Sequence, residues 1–134
     1  MISDLFDINV LCEAEEYALK RTKNTLYRGT LVNRKRQGLG VLVYDNGRVY
    51  EGEWMDDSRN GRGYELFRNK STYLGQYLNN KMHGKGTFTW PNNEIYDGEW
   101  DCGIKQGFGI WKGTNSESYI GEWKDGKVHG YGVH

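Results

Sequence analysis

A tyrosine recurs every 23 residues along this chain, and a glycine follows each one two positions later. The five pairs are Tyr27 and Gly29, Tyr50 and Gly52, Tyr73 and Gly75, Tyr96 and Gly98, and Tyr119 and Gly121. Each copy also carries a Gly-x-Gly pair at the same period, from Gly38 and Gly40 to Gly130 and Gly132. A fixed period in this range predicts a stacked repeat array, in which each unit buries its neighbour's face.

Within one repeat, the side chains alternate as they do along a β-strand. Tyr73, Gly75 and Tyr77 occupy every second position, and a second alternating run spans 84–90. Turn sequences such as Asp45-Asn46-Gly47 separate the repeats, since asparagine and glycine tolerate the positive φ of tight hairpin turns. Each repeat is therefore predicted to be a β-hairpin. Five hairpins predict an all-β fold, a single-layer, twisted antiparallel meander of about ten short strands, elongated and curved around an aromatic groove.

The aromatic residues recur at fixed positions of the repeat. We expect all three glycines of a repeat to share one face with them, because a ring can lie across backbone that carries no side chain. The rings that end the first strands are predicted to be structural: Trp54, Tyr77, Trp100 and Trp123, with Leu31 in the first repeat. The second strands carry rings that predict an exposed strip for a partner, namely Tyr44, Phe67, Phe88, Trp90 and Trp111.

One acidic residue interrupts the apolar pattern of the second strands. Glu65 stands where the other repeats have Leu42, Phe88 and Trp111. Two interpretations stay open at this point: a solvated irregularity of the repeat, or a polar contact inside a binding groove. Three further acids directly follow the repeat glycines and are expected on the face opposite the rings: Glu53, Glu99 and Glu122.

Basic residues concentrate near the turn inside each repeat, although the whole chain has 18 basic and 18 acidic residues. The windows around these turns hold ten Lys or Arg against four Asp or Glu. Because these turns share one edge of a meander, that edge is a candidate surface for anionic phospholipid. Its candidate residues are Arg34, Lys35, Arg36, Arg59, Lys81, Lys85, Lys105 and Lys127. Solvated turn residues without a ligand are the alternative.

No pattern of catalytic residues stands out, so we expect a chain that is not an enzyme and has no cofactor. Gly84-Lys85-Gly86-Thr87 lies in a strand and lacks the spacing of a phosphate-binding loop. Cys12 and Cys102 form no CxxC pair, which argues against a zinc site and fits a reducing, cytoplasmic compartment. His83 and His129 occupy equivalent repeat positions, so they predict no metal cluster. The balanced charge predicts no nucleic-acid partner.

The pattern Y-x-G-x-W followed by G-x-G resembles the MORN repeat (membrane occupation and recognition nexus). It reads Tyr50-Glu51-Gly52-Glu53-Trp54 with Gly61-Arg62-Gly63, and the resemblance covers 27–134 as repeats 27–49, 50–72, 73–95, 96–118 and 119–134. It implies a non-catalytic scaffold at membranes, the cytoskeleton or cilia that binds a protein or peptide segment along its groove. Phospholipid binding reported in the family implies, as the alternative, a peripheral phosphoinositide-binding module.

The first 26 residues lack the motif. A capping strand over 16–21, with Tyr17 and Leu19 on the aromatic face, would cover the first edge of the array. A helix over 10–21 is the alternative, because its residues are good helix formers. Apolar residues nearer the start would fold back over the sheet or dock a partner: Leu5, Phe6, Ile8 and Leu11. At the other edge, the last repeat lacks the second-strand rings. Two interpretations stay open: the chain is cut from a longer array, or the edge is left open for a partner strand such as a second copy of the chain.

Overall fold

The computed structural model describes residues 15–134, which form one antiparallel sheet of eleven strands paired in sequence order. The strands are β1 (Glu15–Arg21), β2 (Thr25–Val32), β3 (Lys35–Tyr44), β4 (Val49–Met55), β5 (Ser58–Leu66), β6 (Thr72–Leu78), β7 (Lys81–Thr89), β8 (Ile95–Asp101), β9 (Ile104–Lys112), β10 (Ser118–Lys124) and β11 (Lys127–Val133). The predicted all-β meander of hairpins is confirmed. Within the described part of the chain, no helix is long and apolar enough to cross a bilayer.

The segment before the repeats forms β1, a strand that pairs with β2 along its whole length. Ala18 lies opposite Gly29 and packs against the buried rings. Tyr17 and Leu19 face the other side of the sheet, with 74% and 54% of their surface exposed. The prediction that they share the aromatic face is wrong, because an offset of one residue turns every side chain of a strand over. Residues 1–14, with the apolar residues predicted to dock, lie outside the described residues.

A two-residue turn closes the hairpin inside each repeat. Both turn residues have positive φ, as at Asn33 (51°) and Arg34 (67°), which matches the type I′ turns that suit the twist of paired strands. The corresponding pairs in the other repeats are Asp56 and Asp57, Asn79 and Asn80, Cys102 and Gly103, and Asp125 and Gly126. Asparagine, aspartate and glycine fill most of these positions because they tolerate left-handed backbone.

The first glycine of each Gly-x-Gly pair also has positive φ, for example 88° at Gly61. It lies within the register shift of the hairpin, on the strand that faces Gly52 and Trp54. A β-carbon at Gly61 would meet the Glu53 side chain rather than a ring. The prediction that all three glycines lie under rings is therefore wrong for this position. The backbone conformation beside a bulge requires glycine there.

The other two glycines of each repeat lie beneath its tyrosine. A β-carbon at Gly63 would overlap the Tyr50 ring, and one at Gly52 would overlap the backbone of Gly63. The Tyr50 hydroxyl donates a hydrogen bond of 2.8 Å to the carbonyl of Glu53, at the register shift. All five repeats form the equivalent bond. The ring thus fills the space of the missing side chains and pairs the carbonyl at the bulge.

Buried rings from neighbouring repeats form a continuous chain of edge-to-face contacts. Trp54 contacts Tyr27 and Tyr50, at centroid separations of 5.7 and 4.9 Å. The chain continues through Tyr77, Tyr73, Trp100, Tyr96, Trp123 and Tyr119. Leu31, which is also buried, takes the place of the ring near the end of β2 in the first repeat. Since each such ring contact contributes about 0.5–1.5 kcal/mol beyond burial, neighbouring repeats stabilise one another.

Replacing a glycine under a tyrosine tests this packing. We expect Gly86→Val to lower the free energy of unfolding by about 3 kcal/mol or more, because the new side chain must displace the Tyr73 ring. Thr87→Val, at the next residue and on the opposite face, should cost less than about 1 kcal/mol. Urea unfolding followed by tryptophan fluorescence measures both changes. A Gly86→Val protein as stable as the wild type would contradict the ring-on-glycine contact.

Alkaline pH should unfold the sheet. Burial raises the pKa of Tyr27 and of Tyr96 from 10.0 to about 12, and it also raises the pKa of Tyr50, Tyr73 and Tyr77. The unfolded chain ionises these hydroxyls near pH 10 while the folded chain keeps them neutral, so their contribution to stability is complete below pH 10 and is lost as pH rises towards 12.

We therefore expect the urea midpoint to fall steeply above pH 10, with tyrosinate absorbance rising as the strands unfold. Tyr73→Phe should make the fall less steep, because one fewer proton is released. Ionisation of all the tyrosines near pH 10 in a protein that stays folded would contradict the prediction.

Candidate functional site

Five half-buried side chains form a row on the aromatic face, which we name the aromatic strip: Tyr44, Phe67, Phe88, Trp90 and Trp111. They lie in or directly after β3, β5, β7 and β9, and each packs against the buried rings. Phe88 lies at centroid distances of 5.4 Å from Phe67 and 4.6 Å from Trp90. The structure therefore brings the residues of the predicted strip onto one surface and leaves part of each ring accessible.

Glu65 lies beneath this strip, and only 2% of its surface is exposed. Its carboxylate accepts hydrogen bonds from Arg48 Nη2 at 2.6 Å, Arg59 Nη1 at 3.0 Å and the Tyr77 hydroxyl at 2.7 Å. The bond to Glu65 is the main cause of the raised pKa of Arg48. The interpretation of Glu65 as a solvated irregularity is wrong. Arg48, which the sequence analysis missed, stands two residues before the repeat tyrosine and so on the same face.

Three basic residues predicted for the edge lie on the aromatic face instead. Arg36 stacks over Trp54 at 4.3 Å, Arg59 lies 5.5 Å from the Tyr50 ring centre, and Lys105 lies over Trp90, Tyr96 and Trp123 at 4.9, 5.4 and 5.0 Å. The prediction that they lie at the edge is wrong. Because the turn has only two residues, each of these basic residues lies in the second strand, directly opposite the large buried side chain near the end of the first strand, as Arg59 lies opposite Trp54. Cations over ring faces are attracted by the ring quadrupole.

The remaining basic candidates divide between the edge and the opposite face. Arg34, Lys35, Lys81 and Lys127 are exposed in or beside the turns inside the repeats. Lys85 lies in β7 opposite Glu99 of β8. The exposed edge is therefore less basic than the sequence windows suggest.

Lys105 differs from the other two cations of the aromatic face in its charge environment. Arg36 pairs with the Asp57 carboxylate at 2.6 Å, and Arg59 pairs with Glu65. Among the described side chains, none forms an ion pair with Lys105, because the residue equivalent to Asp57 is Gly126. Desolvation lowers the pKa of Lys105, against the opposing field of Glu94. This ammonium contacts three ring faces without a matched carboxylate.

A sequence model of the MORN repeat family matches five segments of the chain, residues 27–47, 50–72, 73–95, 96–117 and 119–134. The chain belongs to the MORN repeat family. The predicted resemblance is thereby confirmed over most of the sequence, and repeats of this family are typical of generally non-catalytic scaffolds, often associated with membranes or proteins. A comparison with curated proteins gives no match.

The face of the MORN sheet opposite the rings carries a surface that the sequence analysis missed. Glu53 and Glu99 lie there as predicted, and each accepts a hydrogen bond from a backbone N–H of the following strand. Towards β1, however, a cavity of about 380 Å³ is lined by apolar side chains that include Tyr17, Leu39, Tyr64 and Leu74. The sequence carried one sign of this apolar surface: apolar residues such as Leu39 stand between the two glycines of the Gly-x-Gly pairs.

Neutralising the buried carboxylate of the MORN sheet should be costly. We expect Glu65→Gln to lower the free energy of unfolding by about 3 kcal/mol, because it leaves Arg48 and Arg59 without their buried counter-ion. Glu51→Gln is the control, since Glu51 is exposed and its change should stay within about 0.5 kcal/mol. Chemical unfolding measures both variants. Equal stability of the two variants would contradict a structural role for the contacts of Glu65 with Arg48, Arg59 and Tyr77.

Proposed function

We propose that this MORN repeat chain is a non-catalytic scaffold that binds a protein or peptide segment along the aromatic strip. The observation that carries the proposal is the row of half-buried rings with an unmatched ammonium beside it. Partly exposed aromatic side chains are the usual anchors of protein interfaces, because they bury a large area at a small cost in conformational entropy.

The size of the strip suits a short segment of chain. From β3 to β9 there are six strand spacings, which amount to roughly 29 Å at about 4.8 Å per strand. An extended segment of about nine residues covers that distance at roughly 3.3 Å per residue. The aromatic strip is therefore long enough to contact several consecutive side chains of a partner.

The charges of the strip favour a partner with an acidic group among apolar residues. Arg36 and Arg59 already form ion pairs with carboxylates of this chain, whereas Lys105 contacts three rings and forms no ion pair with Glu94, the acidic residue near it. A carboxylate from the partner would complete the charge environment of Lys105 and stay within reach of Trp90. Cytoskeletal, ciliary and membrane assemblies in the cytoplasm are where such partners would be sought, because MORN scaffolds are associated with them.

Selection from a displayed library of random peptides tests the proposed groove. We expect enriched peptides to lose at least tenfold in affinity, about 1.4 kcal/mol, when Trp90→Ala or Trp111→Ala replaces the wild type. Leu74→Ala changes the opposite face and should leave their affinity within twofold. Absence of enrichment contradicts the proposal, and sensitivity to Leu74→Ala alone would move the site to the other face.

The same peptides test the role of Lys105. We expect enriched peptides to carry an aspartate or glutamate whose contribution disappears in Lys105→Met and survives in Lys105→Arg. The repeat itself supplies these replacements, since Met82, Arg36 and Arg59 occupy the equivalent position. Lys81→Met, at the exposed edge, is the control. Acid-free peptides that bind Lys105→Met as well as the wild type would contradict the acidic contact and leave the groove intact.

Phosphoinositide binding at the turns inside the repeats is the second candidate, supported by the exposed pair Arg34 and Lys35. Each basic group near an anionic surface contributes about 1 kcal/mol. Sedimentation with phosphoinositide-containing liposomes at low salt, with an Arg34→Ala, Lys35→Ala double variant as control, tests it.

Self-association along β11 is a separate expectation, which sedimentation velocity of the wild type checks.

A further inference from the structure

Three side chains that commonly bind metals meet between the third and fourth repeats. His83 lies in β7, Asp101 ends β8, and Cys102 begins the turn that follows. Their ligand atoms all lie within 4.8 Å of one another. The distance from His83 Nδ1 to Asp101 Oδ1 is 3.6 Å, and the backbone N–H of Cys102 donates to His83 Nδ1 at 3.2 Å. A single ion placed between them would be within reach of all three.

The same junction elsewhere in the array lacks both the histidine and the cysteine. At the position of His83, three of the other four repeats have an amide side chain whose oxygen accepts a hydrogen bond from the next turn: Gln37 from Asp56, Asn60 from Asn79, and Gln106 from Asp125. His129 holds the position in the last repeat, which has no following repeat in this sheet. At the position of Asp101 the other three junctions have Met55, Leu78 and Lys124. Joining two hairpins therefore requires neither histidine nor cysteine. Among these described junctions, only the one at His83 has a metal-binding type of residue at all three positions, those of His83, Asp101 and Cys102.

The turn backbone at Cys102 does not favour a cysteine. Its φ is 49°, in the left-handed region, where asparagine, aspartate and glycine are favoured and a cysteine is disfavoured. Asn33 and Asn79 hold the equivalent position in two other repeats. The thiol thus stands where local backbone preference favours asparagine.

We propose that His83, Asp101 and Cys102 bind a zinc ion. Thiolate, imidazole and carboxylate are the three ligand types of zinc, which binds them in tetrahedral geometry and fills an open position with water. Calcium and magnesium prefer oxygen ligands alone, so this mixed set disfavours them. Binding releases the thiol proton, and the ion replaces the Cys102 N–H as the partner of His83 Nδ1. All three side chains are at least partly exposed, which leaves the ion an entry path.

Cobalt titration of the full chain under reducing conditions tests the site, with Cys12→Ser as the background so that Cys102 is the remaining thiol. We expect one Co²⁺ per chain, with a thiolate-to-cobalt charge-transfer band and the ligand-field bands of a four-coordinate ion. Zinc should abolish these bands by displacement, and magnesium should not. Zinc should also raise the melting temperature of the protein, because a ligand that binds the folded state stabilises it.

The repeat offers matched replacements that preserve the fold. Cys102→Asn suits the turn, and His83→Gln retains an acceptor for the N–H of residue 102, as in Gln37 and Gln106. We expect Cys102→Asn to abolish the charge-transfer band and His83→Gln or Asp101→Asn to weaken cobalt affinity at least tenfold. His129→Gln should leave it unchanged. A missing charge-transfer band before mutation, a band that survives Cys102→Asn, or one metal per two chains would overturn the proposed site.

Discussion

The contact between a tyrosine ring and glycine backbone is the interaction on which the rest of this sheet depends. A single-layer sheet has no second layer to cover its rings, so in each repeat the backbone itself lies under the ring. The ring can approach only where β-carbons are absent, and its hydroxyl pairs the carbonyl at the bulge. The spacing of tyrosine and two of the three glycines is therefore a packing requirement, and the third glycine serves the bulge that the hydroxyl completes.

The same bulge determines the chemistry of the candidate binding surface. After the two-residue turn, the second strand pairs so that Arg36, Arg59 and Lys105 stand over rings rather than at the sheet edge. The face therefore combines apolar area with cations, two of which are neutralised by carboxylates of the chain itself. This charge balance, rather than ring content alone, is what would distinguish one partner segment from another.

The repeat pattern predicted the hairpins, the shared face of the rings and the residues of the aromatic strip, because alternation and turn chemistry are local properties of the sequence. Its errors have physical causes. Tyr17 and Leu19 were placed by shifting the repeat, and a one-residue offset of β1 reversed their face. Glu65 could not be recognised as buried, since its partners lie far from it in the sequence: Arg48 is 17 residues away, just before β4, and Tyr77 is 12 residues away, in β6.

The sequence by itself determined that this chain is an array of β-hairpins with rings on one face, since its period, its alternation and its positive-φ turn residues leave little choice of local structure. The tertiary structure decided which charges meet which rings, and it brought His83 of one repeat beside Cys102 of the next. Such contacts depend on strand register and on the bulge in each hairpin. Register arises from pairing between strands, which composition and spacing along one strand do not encode.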